Sequence, residues 1–174
     1  MLKPMTGKCK VAALTGIVLC GLFLLVTPLV TVLTITDAKT NVPVLCVKVR
    51  DGQEFSLAFT HSVNKRPVRD YIRVVGEHLL VVKSEYDSFG AGMPETSQGE
   101  MTVRLTPERK LAFTNINRQL PEISVFVGTV ANHILIAGDR EIPLTDLAPP
   151  ETPLTFKIDK ISYITLMRTR QVAE

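Results

Sequence analysis

From Val44 onward, apolar and polar side chains alternate with a period of two. Phe55, Leu57 and Phe59 alternate with Ser56, Ala58 and Thr60, and Met101, Val103 and Leu105 alternate with Thr102, Arg104 and Thr106. Leu154, Phe156 and Ile158 repeat the pattern with Thr155, Lys157 and Asp159. Such rows turn one strand face into a core and the other toward water. Shorter β-rich runs lie at Val44–Val49, Tyr71–Val75, Leu79–Val82, Leu111–Thr114, Ile123–Val127, Ile134–Ile136 and Ile161–Leu166. Turn formers punctuate them: Asp51-Gly52, Gly76-Glu77, Gly90 to Pro94, Thr106-Pro107, Pro121, Gly138-Asp139 and Pro149-Pro150. After residue 36 no stretch carries a convincing amphipathic helical period. The pattern predicts an all-β fold, a single β-sandwich or barrel-like domain of roughly ten short strands. Its expected span is 44–168, with a frayed C-terminus at 169–174.

The front of the chain follows a different rule. Val11 to Ile35 contains no charged residue, although Gly16, Gly21 and Pro28 interrupt it. About 20 apolar residues at a 1.5 Å rise cross a hydrocarbon layer, and this run exceeds the apolar region of a typical signal peptide. It reads as a transmembrane signal-anchor helix over 11–35, preceded by a basic cytoplasmic tail at 1–10 and followed by a tether at 36–43. Cleavage is the rival reading, but Thr36-Asp37-Ala38 is a poor small-residue cleavage site. Lys3, Lys8 and Lys10 favour an N-terminus held in the cytoplasm. The main domain then lies on the extracytoplasmic, periplasmic side of the membrane.

Charge and cysteines narrow the function. Without those three lysines, 17 basic and 17 acidic residues remain. A neutral body offers no broad positive field for a phosphate backbone, so nucleic acid is not expected as a partner. Of Cys9, Cys20 and Cys46, only Cys46 falls in the body, so no disulfide is expected within it. No Cys/His cluster has zinc-ligand spacing, and no cofactor signature is present.

Two segments invite a functional reading. The first runs from Phe59 to Tyr71 and contains His61, Ser62, Asn64, Pro67 and Asp70, with Lys65, Arg66 and Arg69 as a local positive patch. A histidine ending an apolar row is more often a satisfied core residue than a ligand-binding group. Adjacent His61 and Ser62 point to opposite strand faces, so adjacency alone makes no catalytic dyad. The second segment contains Glu85, Ser88, Phe89, Gly90, Ala91, Gly92, Met93 and Pro94. Its Gly-Ala-Gly run frees the backbone for positive φ and could expose N–H groups to an anion, although a tight turn is the favoured reading on residue chemistry alone. It lacks the third glycine of a dinucleotide fingerprint. Glu85, Asp87 and His61 could approach a metal, but no spacing demands one, and neither metal nor cofactor is expected. His78 and His133, beside strand starts, are expected to be exposed and structural.

Thr60-His61-Ser62-Val63, Pro67-Val68 with Asp70, and Ser88-Phe89-Gly90-Ala91-Gly92-Met93-Pro94 together resemble the small bacterial proteins catalogued as domain of unknown function eighteen-fifty. Asn132-His133-Ile134-Leu135 before Gly138 fits more loosely. In that family an acidic residue often stands where this chain has Asn64, and a glutamate is common where it has Asp70. The resemblance implies a genomic context rather than a chemistry: such proteins are commonly encoded beside TRAP transporters of the TAXI type. These take up small organic anions with an extracytoplasmic binding protein and a membrane permease. The expectation is therefore an accessory binding or assembly module, with the permease or the binding protein as partner and no catalytic residues. The alternatives are a hydrolase using His61 and Ser62, and a structural spacer without a ligand.

Overall fold

The computed structural model describes residues 7–63, 65–87 and 101–169, with side chains from Leu14 onward. Helix α1 covers Gly7–Val26. Strands β1 (Val30–Asp37) and β2 (Val42–Lys48) form a hairpin. A meander of β3 (Glu54–Thr60), β4 (Pro67–Val75) and β5 (His78–Tyr86) follows. The remaining strands are β6 (Thr102–Leu105), β7 (Leu111–Leu120), β8 (Glu122–Phe126), β9 (Ile134–Ala137), β10 (Arg140–Pro143) and β11 (Pro153–Ile161). A 3-10 turn at Leu144–Asp146 and a short helix α2 at Tyr163–Arg168 complete the described elements.

The strands make two antiparallel sheets. One has four strands in the order β2-β1-β11-β8, and the other has seven in the order β10-β9-β3-β4-β5-β7-β6. The sheets share one apolar core. Leu33, Ile35, Leu45, Leu154 and Phe156 come from the small sheet, and Phe55, Leu57, Ile72, Val74 and Leu79 from the large one. The expected all-β character holds, with the alternating rows at Phe55–Phe59 and Leu154–Ile158 placed as the period of two requires. Two-residue turns at Gly76-Glu77 and Gly138-Asp139 close hairpins; Gly76 and Gly138 have φ of 58° and 59°, where a side chain would strain the backbone.

The N-terminal reading needs correction. The helix ends at Val26, not at Ile35. Thr27 Oγ1 donates to the Phe23 carbonyl at 2.7 Å, and Pro28 has no N–H with which to continue the helical ladder. From Val30 to Thr36 every residue but Leu33 is β-branched, which favours a strand. Val32, Leu33 and Ile35 are 0% exposed, and β1 lies between β2 and β11 in the middle of the small sheet. A continuous apolar run looks alike in a membrane helix and a fully buried strand, and Pro28 divides the two. The expected tether at 36–43 is also corrected: it holds the end of β1, a turn and the start of β2. Asp37 Oδ1 accepts the amides of Lys39 at 2.8 Å and Thr40 at 3.4 Å, and Asn41 adopts a φ of 57°. These N–H groups hold the Asp37 carboxyl below its ordinary value. The β-rich run at 161–166 is strand only to Ile161. Ser162 then caps α2 by accepting the Thr165 amide at 3.2 Å.

Among the described residues no helix is long and apolar enough to cross a membrane. The apolar side chains of α1 are nonetheless uncovered, from 41% exposed at Leu25 to 69% at Ile17.

The central position of β1 gives a direct test. Removal of residues 1–29 is expected to leave a cooperatively folding domain, whereas removal of residues 1–37 is expected to abolish folding. Leu33→Ala should cost about 2–5 kcal/mol. Urea unfolding followed by circular dichroism separates these outcomes.

Candidate functional site

The two sheets differ in width, and the small one does not cover all of the large one. At the uncovered side lies a cavity of about 630 Å³. Its floor is the inner face of β3, β4, β5 and β7, and β8 with the residue before β9 forms the opposing side. Val82 is an extra residue of β5 between Val81 and Lys83, and it shifts the register of the floor twice, once against Tyr71 and Ile72 of β4 and once against β7. At the second shift, Asn115 and Asn117 of β7 adopt φ of 59° and 48°, a conformation asparagine tolerates better than most side chains. Such bulges bend and twist a strand, and Ile116 between these asparagines faces the cleft.

Most of the lining is apolar: Leu57, Phe59 and Ile72 on one side, Phe113 across the floor, Ile123 and Phe126 opposite. A polar group sits within it. Strand β4 sends Val68, Asp70, Ile72 and Val74 inward, so Asp70 is a carboxylate in an otherwise apolar row. It lies opposite Leu57 on β3 and Ser84 on β5. Ser84 Oγ donates to Asp70 Oδ1 at 2.5 Å, and Tyr86 adjoins both on the same strand face. Burial raises the Asp70 carboxyl above its ordinary range, opposed only by the Ser84 hydroxyl. Burial first, and then the Asp70 carboxylate, push the Tyr86 phenol up. The Tyr86 ring meets Phe113 edge-on, with centroids 5.3 Å apart.

His133 joins this group from the other side. Its ring lies against Phe59, with centroids 5.3 Å apart and planes at 31°. Main-chain bonds hold its loop: the Thr60 amide donates to the Ala131 carbonyl at 2.7 Å, and the Leu144 amide donates to the His133 carbonyl at 2.9 Å. Burial lowers its pKa, which favours the neutral ring. Its Nδ1 is buried and meets no hydrogen-bond partner among the described residues. The expectation of an exposed, structural His133 is thereby corrected.

The remaining candidates lie elsewhere. Glu85 faces the opposite side of the sheet, where it accepts from Tyr71 Oη at 2.8 Å and Lys83 Nζ at 2.9 Å. These bonds hold its carboxyl low against the burial that would raise it. Lys83 Nζ sits 3.7 Å from the Tyr71 ring centroid, and Arg69 covers the same ring while donating to Ser56 Oγ at 2.9 Å. Glu85 and Arg69 thus brace β3, β4 and β5 from behind. His61 ends β3 in a turn: its amide donates to the Arg66 carbonyl at 2.8 Å, and its Nδ1 accepts the Val63 amide at 3.3 Å. Ser62 and Pro67 are exposed, and none of these three lines the cleft. Arg66 pairs with Asp87 at 3.2 Å, which brings the bases of the two sequence segments together. Asn64 and the run Ser88, Phe89, Gly90, Ala91, Gly92, Met93 and Pro94 lie outside the described residues. Of the expected contact residues one, Asp70, lines the cleft, and Ser84, Tyr86 and His133 were not among them. Asp70 and Ser84 carried a signal, since each is polar on the inward face of an apolar strand. His133 carried none beyond its place in the looser family run.

The raised Asp70 carboxyl has a consequence for stability. Folded, the group holds its proton more tightly than unfolded, so its ionisation costs stability at neutral pH. That cost vanishes below the ordinary carboxylate range, where the group is protonated in both states. Asp70→Asn is therefore expected to raise the melting temperature at pH 7, with the gain shrinking as pH falls. A melting temperature lowered at pH 7 would contradict the uncompensated burial of this charge.

No curated protein and no solved structure matches the chain. A family described as Domain of unknown function (DUF1850) matches residues 55–144. The match runs from β3 to the 3-10 turn and contains every residue that lines the cleft. Spanning just over half of the sequence, from Phe55 to Leu144, it shows that the chain belongs to the DUF1850 family.

Proposed function

We propose that this protein is a membrane-anchored, extracytoplasmic accessory subunit whose β domain is a binding or assembly module. The uncovered apolar surface of α1 carries the anchoring. Leu14, Ile17, Leu19, Leu22 and Phe23 lie exposed around the helix, and a polypeptide in water does not leave so large an apolar surface bare without cost. From Val11 to Val26 the sequence of α1 holds no charged residue, a composition suited to a hydrocarbon environment. Lys8 and Lys10 at its start favour a cytoplasmic N-terminus, and Pro28 and Leu29 then lead straight into β1. The β domain is thereby held close to the outer membrane surface.

The cleft supports a binding role over that of a spacer. A spacer needs no interior space, whereas this domain keeps a half-buried carboxylate, and an imidazole nitrogen without a hydrogen-bond partner among the described residues, beside a cavity of ligand-binding size. The family resemblance supplies the partner: a TAXI-type TRAP transporter for small organic anions, through its permease or its extracytoplasmic binding protein.

Affinity capture of the intact chain from native membranes in mild detergent is expected to recover a transporter component. A chain lacking residues 1–29 should fold and appear in the soluble fraction. Recovery of the intact chain without any transporter component would contradict the assembly role, and membrane retention of the truncated chain would contradict the anchor.

A further inference from the structure

The chemistry of the cleft specifies an occupant. Asp70 is half-buried at its floor, and among the described residues its one hydrogen bond is from the neutral Ser84 hydroxyl. Among the described residues no lysine, arginine or histidine pairs with it. Arg118 also lines the cleft but is exposed, and it exerts no resolved pull on the ionisation of Asp70. The other polar groups nearby are the Tyr86 phenol and the His133 ring, both neutral at pH 7. A buried carboxylate that lacks a positive partner is costly, and a cation that reaches it through an apolar channel removes that cost. His133 Nδ1, buried without a partner among the described residues, is a second sign that the polar groups of this site are completed by an occupant.

We propose that the cleft binds a small molecule with an apolar body and an ammonium head, the head seated on the Asp70 carboxylate. The body lies between Phe113 on the floor and Ile123 and Phe126 on the facing strand. The ring of His133, tilted against Phe59, lines the same cleft and offers its neutral nitrogen to a donor of the occupant. The required charge is opposite to that of the organic anions associated with the proposed transporter, so the cleft does not duplicate a transport site. The inference rests on the cleft as a ligand site and is independent of which transporter component the domain touches.

Three probes of similar shape test it: 3-phenylpropylammonium, 3-phenylpropan-1-ol and 3-phenylpropanoate, titrated calorimetrically against the full-length chain in phosphatidylcholine nanodiscs. The ammonium is expected to bind about tenfold or more tightly than the alcohol, as charge-assisted hydrogen bonds imply. The carboxylate should bind most weakly. Asp70→Asn, a substitution that preserves shape, should erase the preference for the ammonium over the alcohol. Ile123→Trp, which fills the cleft from the small sheet, should abolish binding of all three. Tighter binding of the carboxylate, a preference that survives Asp70→Asn, or no binding of any probe would each overturn the proposal. Transporter capture with Ile123→Trp separates the two readings. Lost capture by a chain that binds none of the probes in its native form would make the cleft a docking surface for the transporter. Absent capture beside intact ammonium binding would reject the transporter role alone.

Discussion

Burial between two antiparallel sheets holds this domain together, and the sheets are unequal, four strands against seven. Where they overlap, Leu33, Leu154 and Phe156 of the small sheet meet Phe55, Ile72 and Val74 of the large one, and the space is filled. Beyond the overlap, β7 and β6 extend the large sheet past its partner, and a second small cluster forms around Leu111 and Phe113. The cleft is the space between these two packing regimes. Its position follows from the strand count, and its curvature from the bulges that Asn115, Asn117 and the extra residue of β5 introduce.

The two faces of β4 and β5 divide the polar work. On the outer face, Arg69, Tyr71, Lys83 and Glu85 form ion pairs, hydrogen bonds and ring contacts that satisfy one another. On the inner face Asp70 has, among the described residues, only Ser84, and burial raises its carboxyl. Strand alternation places the satisfied network and the unsatisfied carboxylate one residue apart on the same backbone. The outer network resists deformation of the strands, which keeps the inner carboxylate in place without compensating its charge. Structures that retain such uncompensated groups commonly do so for function at some expense to stability.

The handover from α1 to β1 joins the two halves of the functional proposal. Apolar residues before Pro28 lie exposed on a helix, and those after it are buried at the centre of the small sheet. Almost no chain separates them, so under the proposed anchoring a bilayer holding α1 would also orient the sheet that contains β1. The cleft, on the side of β8 and β5, inherits that orientation.

Alternation alone determined the class of fold, the inward residues of β3 and β11 and several of the turns, because a pleated strand imposes its period on any chain that buries one face. It also displayed Asp70 as an acid in an apolar row, although the meaning of that position was not legible. Two facts needed the tertiary structure. The apolar run from Val11 to Ile35 is continuous in hydropathy, and only the pairing of β1 with β2 and β11 reveals that its second part belongs to the core. The cleft brings together residues far apart in sequence, Asp70 and Ser84 from paired strands and His133 from a loop tied down by main-chain bonds. Local sequence encodes which way a side chain points on its own strand; which strands lie opposite one another is decided by the packing of two sheets of different width.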